Sequence, residues 1–157
     1  MKIIDLSAGN RAIWFDKNYR DATYLDIREE VKPDIVGDST HTNFPDGSFD
    51  LVVFDPPHVN CGVNSQMGKT YGHFTTERIR EIIRGTSKEA WRITKEDALM
   101  AFKWNDHDQK LNKVLALMPE WEPLFGHKIS MRTLHASMTC WVLLRRRNLS
   151  QTKGDKK

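Results

Sequence analysis

Apolar residues along this chain gather in short runs, and between the runs they recur at three-to-four spacing. Residues 3–6, 23–26, 34–37, 51–54 and 98–103 are the early runs. Each is too short for a helix and is bounded by turn-forming residues, so each reads as a buried strand. The third follows the breaker Pro33. Residues 76–84 carry Ile79, Ile82 and Ile83 on one helical face, with Thr75 placed to cap the start. Ser87 could cap a further turn carrying Ala90, Trp91 and Ile93, and residues 108–118 repeat the pattern with Leu111, Val114, Leu115 and Met118 before Pro119. Two late runs, 124–130 and 139–144, read as a terminal antiparallel pair. Strands alternating with helices predict an α/β fold, a mostly parallel sheet with helices on both faces. No internal repeat and no second domain is visible.

Composition narrows the class only a little. With 157 residues, the chain reads as one domain with a continuous core. No apolar run approaches the roughly 18 residues of a membrane span, so no membrane partner is expected. The start, Met1 to Asp5, reaches an acid too soon for a signal peptide. Cys61 and Cys140 lie far apart and in no metal-ligand spacing, which predicts reduced thiols, a cytoplasmic setting and no metal site. Net charge is +3, which permits a polyanionic partner without requiring one. Arg145, Arg146, Arg147, Lys153, Lys156 and Lys157 hold much of the surplus. Residues 148–157 are polar and aperiodic, and are expected to be a disordered basic tail.

Candidate chemistry concentrates at strand ends, where open α/β sheets bind ligands. Asp55-Pro56-Pro57-His58 follows the run 51–54 directly. Each proline fixes its own φ and restricts the residue before it, so the turn is stiff. The prolines also lack N–H groups, leaving the carbonyls of Asp55 and Pro56 free to point outward as acceptors. A carboxylate, a held carbonyl and a planar ring together suit the binding of a flat molecule that bears an exocyclic amino group. Asp5-Leu6-Ser7-Ala8-Gly9 forms a small-residue turn after the first strand, which lets backbone approach a ligand closely. Asp26 ends the second strand and Asp38-Ser39 the third. Plainer readings exist for both acids: Asp26 could pair with Arg28, and Asp38 could cap the turn at Ser39-Thr40.

Asp55-Pro56-Pro57-His58 resembles the Asp-Pro-Pro-aromatic signature of S-adenosylmethionine-dependent amino methyltransferases, chiefly the adenine-N6 and cytosine-N4 DNA enzymes. The layout of residues 1–147 resembles their seven-stranded, Rossmann-like class I fold throughout. Residues 44–51 and 89–93 resemble the usual lead-ins to its fourth and fifth strands. The resemblance implies S-adenosylmethionine as cofactor. Asp5, Ser7, Ala8 and Gly9 would lie against its methionine and ribose, Asp26 would accept the ribose hydroxyls, and Asp38 with Ser39 would take the adenine amine. Asp55 borders both cofactor and target. The sequence departs from the pattern twice: Arg11 replaces the second glycine of the first turn, and His58 fills a slot that is usually Tyr, Phe or Trp.

The implied reaction is methyl transfer to an aromatic amine, most simply N6 of adenine in DNA. Such an amine is a poor nucleophile because its lone pair is delocalised. Asp55 and the Pro56 carbonyl, stiffened by Pro57, would accept its two N–H groups, steer the lone pair and stabilise the charge that develops. No strong general base is needed, since the methylated ammonium is acidic. His58 would stack on the base or hydrogen-bond it, and a base in a duplex would have to be flipped out to arrive. Residues 59–72 read as a flap in which Lys69 and Tyr71 could touch a polynucleotide or be ordinary loop residues. Lys103 at the end of the fifth strand is placed to line the site, with neighbouring Trp104 a packing residue. Arg78, Arg80 and Arg84 alternate with Glu77 and Glu81, which suggests a solvated face. No segment is long enough for separate target recognition. A second subunit, a homodimer, low specificity or structured RNA are the ways to meet that need. Rival readings are an RNA base methyltransferase, a protein glutamine methyltransferase (which usually has Asn at the place of Asp55) and an inactive cofactor-binding subunit.

Overall fold

The computed structural model describes residues 1–60, 74–128 and 139–148. Seven strands form one sheet: β1 (Ile3–Asp5), β2 (Ala22–Asp26), β3 (Ile35–Val36), β4 (Phe49–Phe54), β5 (Thr94–Asn105), β6 (Trp121–Lys128) and β7 (Thr139–Arg146). Their order is β3-β2-β1-β4-β5-β7-β6. The five strands from β3 to β5 run parallel, and β7 pairs antiparallel with both β5 and β6. The sheet order reverses between β1 and β4, the kind of switch point at which such sheets open a crevice.

Two α-helices are described, α1 (Thr76–Ile93) and α2 (Leu111–Leu115). Thr75 caps α1 as expected, its side chain accepting from the Arg78 N–H at 3.1 Å. Ser87 does not cap a second helix. It is buried in the middle of α1 and donates to Glu120 at 2.6 Å. A hydroxyl with a tertiary partner no longer competes with the helix backbone, so the helix runs on. It ends only at Thr94, whose Oγ1 donates to the Ala90 carbonyl at 2.7 Å. Strand β5 begins there without a loop. The helix expected over 108–118 shrinks to Leu111–Leu115.

The core lies between these helices and one face of the sheet. Ile79, Ile83, Ala90 and Ile93 of α1 and Val114 of α2 meet Ile4, Val52, Phe54, Met100, Phe102, Trp104, Val142 and Leu144. Both described α-helices therefore share one face. Residues 6–21 are turns, residues 29–31 a single 3-10 turn, and residues 37–48 contain no helix. On the second face Ala101, Lys103 and Leu143 are half-buried, and Trp141 is 36% exposed. No described helix is long and apolar enough to cross a membrane.

An ion pair between buried Glu89 and half-buried Arg92 anchors the connection into β4. Glu89 accepts from Thr42 N–H at 2.8 Å, Thr42 Oγ1 at 2.6 Å and Arg92 at 2.6 Å. Arg92 also donates to the Phe44 carbonyl and to Asp46. Burial pushes the Glu89 carboxyl up, but these donors outweigh it and hold its pKa at about 2. Just before it, α1 approaches residue 40 so closely that a Cβ on Gly85 would lie 2.8 Å from the Thr40 Cβ.

Candidate active site

The carboxyl ends of β1, β2 and β4 bring Asp5, Asp26 and Asp55 together, and hydrogen bonds lock the turns that follow them. Ser7 Oγ accepts from the Asp55 N–H at 2.8 Å, so the turn after β1 is bonded to the turn after β4. The Leu6 N–H reaches the Val53 carbonyl and the Ala8 N–H reaches the Leu25 carbonyl. Ser7 and Ala8 thus hold neighbouring strand ends at the switch point.

Asp5 is fully buried. Its Oδ1 accepts from the Ser7 N–H at 3.1 Å and its Oδ2 from the Trp14 indole at 2.7 Å. Burial raises its pKa to about 6 against those two bonds, and the nearby carboxylates of Asp55 and Asp26 push the same way. Trp14 is a member of the site that no periodicity marks, because it lies in an irregular turn and packs edge-on against Tyr24.

Gly9 and Arg11 both have positive φ, 50° and 54°. Arg11, standing at the place of the second glycine, keeps the left-handed backbone that glycine favours. Its guanidinium turns away, bonding to the Lys17 and Lys32 carbonyls and to Asp34, and lies 3.9 Å from the centre of the Tyr24 ring. It supports the turn from behind rather than filling it.

Asp26 accepts the Gly9 N–H on Oδ2 at 2.7 Å and the Arg28 N–H on Oδ1 at 3.0 Å. The Arg28 side chain adds a contact at 3.1 Å, and its Nη2 lies 3.3 Å from where a Gly9 Cβ would stand. The plainer pairing of Asp26 with Arg28 is therefore present. A carboxylate offers about four lone-pair sites. The two backbone donors take two, and the two that the guanidinium engages match the two hydroxyls of a ribose. Those residues fit a ribose if the Arg28 side chain yields. Asp38 is exposed and accepts from Thr40 N–H and Oγ1, both at 2.8 Å, which is the turn-capping arrangement. Ser39 Oγ bonds Thr86 on α1 at 2.9 Å. Neither residue is drawn to the Asp5–Asp26 cluster.

Asp55 is the pivot of the target side. Its Oδ2 accepts from Lys103 Nζ at 2.7 Å. The register explains the pairing, since Phe54 lies beside Phe102 and the next residues of β4 and β5 are neighbours. Its Oδ1 is buried and has no hydrogen-bond partner among the described residues; His58 Nδ1 is 3.9 Å from it. His58 Nδ1 lies 3.1 Å from the Pro56 carbonyl. A carbonyl only accepts, so Nδ1 is the donor in that contact. Pro56 is buried, Pro57 is half-buried, and the His58 ring stands edge-on to Trp104 with centroids 6.0 Å apart. Trp104 is fully buried, its indole bonded to the Gln109 carbonyl. Lys69 and Tyr71 lie outside the described residues.

Strand order and the hairpin of β6 and β7 define the fold as that of the class I methyltransferases. The PH0226 protein from Pyrococcus horikoshii superposes with a TM-score of 0.69 at 15% identity, over 93% of this chain and 82% of that one. A SAM-dependent methyltransferase from Methanosarcina mazei gives 0.62 at 12% identity, over 92% of each chain. The 1,6-didemethyltoxoflavin-N1-methyltransferase of Burkholderia thailandensis, solved with S-adenosylhomocysteine, gives 0.58 at 10% identity, over 93% and 71%. No family model matches the chain, and no curated protein sequence does.

Proposed function

We propose that this chain is an S-adenosylmethionine-dependent methyltransferase acting on an exocyclic amine of a nucleic-acid base, with N6 of adenine in DNA as the target. Buried Asp55 Oδ1 carries the reading. It is a carboxylate oxygen at a strand's carboxyl end whose acceptor capacity is unmet among the described residues. Leaving such an oxygen unpaired costs more than an ordinary lost hydrogen bond, and an N–H donor from a ligand would meet it. The Pro56 carbonyl, with one lone pair engaged by His58 and one remaining, is the second acceptor in the same turn.

When bound, the cofactor supplies an electrophilic methyl on sulfur. Asp55 and Pro56 hold the amine by its N–H groups, which turns the lone pair out of the ring plane and stabilises positive charge on nitrogen. The Ser7 bond to the Asp55 N–H keeps that acceptor in register with the turn after β1, which serves the alignment on which proximity depends. His58, 26% exposed and held by Pro56, flanks the target. The solved structures with this fold that are named as SAM-dependent methyltransferases, one of them an N-methyltransferase, support the cofactor and the reaction type.

A second reading has one observation in its favour. The Arg28 guanidinium rests against Gly9 and Asp26, where a cofactor ribose would have to enter. That arrangement suits a partner subunit that does not bind cofactor. Calorimetry with S-adenosylmethionine and radiolabelled methyl transfer to DNA, RNA and protein pools test both. The enzyme reading expects binding, transfer to nucleic acid, loss of transfer with retained affinity in Asp55→Ala, and loss of affinity in Asp26→Ala. Comparable turnover in Asp55→Ala would overturn it, and absence of cofactor binding would leave the inactive-subunit reading.

A further inference from the structure

The amine acceptor is joined to a donor that nothing in the proposed chemistry uses. Lys103 Nζ bonds Asp55 Oδ2 at 2.7 Å, and both side chains are mostly buried, 24% and 20% exposed. An ammonium has three donors. One goes to Asp55, and no second hydrogen-bond partner of Lys103 occurs among the described residues. On β7 its register neighbour is Trp141, an aromatic that takes no charge from it. A carboxylate with unmet acceptor capacity and an ammonium with unmet donors thus sit side by side at one strand end.

We propose that Lys103 is a specificity-determining residue that donates to the ring nitrogen next to the target amine. This rests on the reading of the site as an amino methyltransferase for bases and deepens it. The pair Asp55–Lys103 presents acceptor beside donor, which is complementary to an amino group beside an unprotonated ring nitrogen. Adenine presents that edge through N6 and N1, and cytosine through N4 and N3. The amine of guanine, flanked on its pairing edge by an N–H, would set donor against donor at Lys103. Flipped bases are read by such hydrogen bonds along the pairing edge.

Charge explains why the lysine is paired. Positive charge grows on the amine nitrogen during transfer, and an unbalanced ammonium alongside would oppose it. Asp55 offsets that cation. Lys103 therefore contributes to binding and discrimination, while its effect on turnover is small or adverse. Removing it should raise KM and leave kcat close to its original value, a split that general destabilisation of the fold would not produce.

The test uses the full chain and single-stranded DNA carrying one adenine, with methyl transfer to it inhibited by two competitor strands. One competitor has adenine at the target, and the other has 1-deazaadenine, in which the ring nitrogen is a C–H. For the unaltered protein, adenine should compete about ten- to a hundredfold better, the range of one charge-assisted hydrogen bond. Lys103→Met should bring the ratio close to one and raise KM by a similar factor; Lys103→Gln, which keeps a neutral donor, should retain part of the ratio. Equal inhibition by both competitors with the unaltered protein overturns the inference even if Lys103→Met does not fold, as does an undiminished ratio in a folded Lys103→Met. In either case methylation of the adenine strand leaves the base-methyltransferase reading standing. Absence of transfer to any base overturns both.

Discussion

Replacing Asp5 with asparagine should abolish a loss of stability that the protein suffers as pH rises from acid to neutral. Asp5 is fully buried, and its folded pKa is raised from 3.8 to about 6. Below pH 3.8 the acid is neutral in both folded and unfolded chains, so it contributes no pH dependence. Between about 4 and 6 the unfolded chain gives up the proton and the folded chain keeps it. Stability then falls as pH rises, at about 1.4 kcal/mol per pH unit. Above the folded pKa the loss is complete and amounts to about 3 kcal/mol. An amide never ionises, but its nitrogen donates and cannot accept as a carboxyl oxygen does, so one of the two N–H groups, that of Trp14 or that of Ser7, loses its partner at every pH. Asp5→Asn should therefore be the less stable protein near pH 3.5, by a constant set by that lost bond, and should gain about 3 kcal/mol on the unaltered protein between there and about pH 7. Urea unfolding across that range, followed by tryptophan fluorescence, measures both curves. Parallel curves for the two proteins would refute the reasoning, since they would mean that Asp5 ionises in the folded chain as easily as in the unfolded one.

Two other substitutions probe the frame around the site. Glu89→Gln should flatten the acid limb of the stability curve. With a folded pKa near 2 against 4.5, Glu89 stabilises fully above the unfolded value and loses roughly 3 kcal/mol as pH falls toward 2; urea midpoints between about pH 2 and 6 show the difference. Gly85→Ala should destabilise by about 1–3 kcal/mol, the scale of overpacking, although alanine is the better helix former. The cause is the Thr40 Cβ at 2.8 Å, so in a Thr40→Gly background the same change should become neutral or stabilising, read by thermal melting.

The parallel half of the sheet is legible because its strands are buried on contact with their neighbours and so appear as unbroken apolar runs. Runs 23–26 and 51–54 lie inside β2 and β4, and run 98–103 inside a β5 that starts four residues earlier. That early start depends on Thr94 closing the helix with its own hydroxyl, a choice between cap and strand that local spacing does not reveal. Ser87 misleads for the opposite reason. Serine favours helix starts when its hydroxyl has only backbone to bond, and here Glu120, 33 residues away, supplies another partner. The alternation of strands and helices predicts helical connections, yet no α-helix follows β1 or β2 directly. Residues 10–20 place Ala12, Phe15 and Tyr19 at three-to-four spacing, yet the chain forms turns there, held by Arg11 and Trp14.

Acids at strand ends are visible as candidates, but their partners decide what each can do, and partners are tertiary. Asp38 and Asp26 both make the local bonds that their short-range neighbours offer, with Thr40 and Arg28. The two cases differ in what those bonds leave. Asp38 is exposed, so a ligand there would displace one set of donors with no gain from desolvation. Asp26 is 7% exposed and holds Gly9 by a backbone bond that a ligand need not break. Exchanging the Arg28 side chain for two hydroxyls keeps its oxygens satisfied and loses an ion pair that the guanidinium can replace with water. Asp55 differs from both, because its unmet oxygen has no internal exchange to make. Among the three acids it is the one whose burial is left uncompensated within the described residues, and that asymmetry directs the search for a ligand donor to the end of β4.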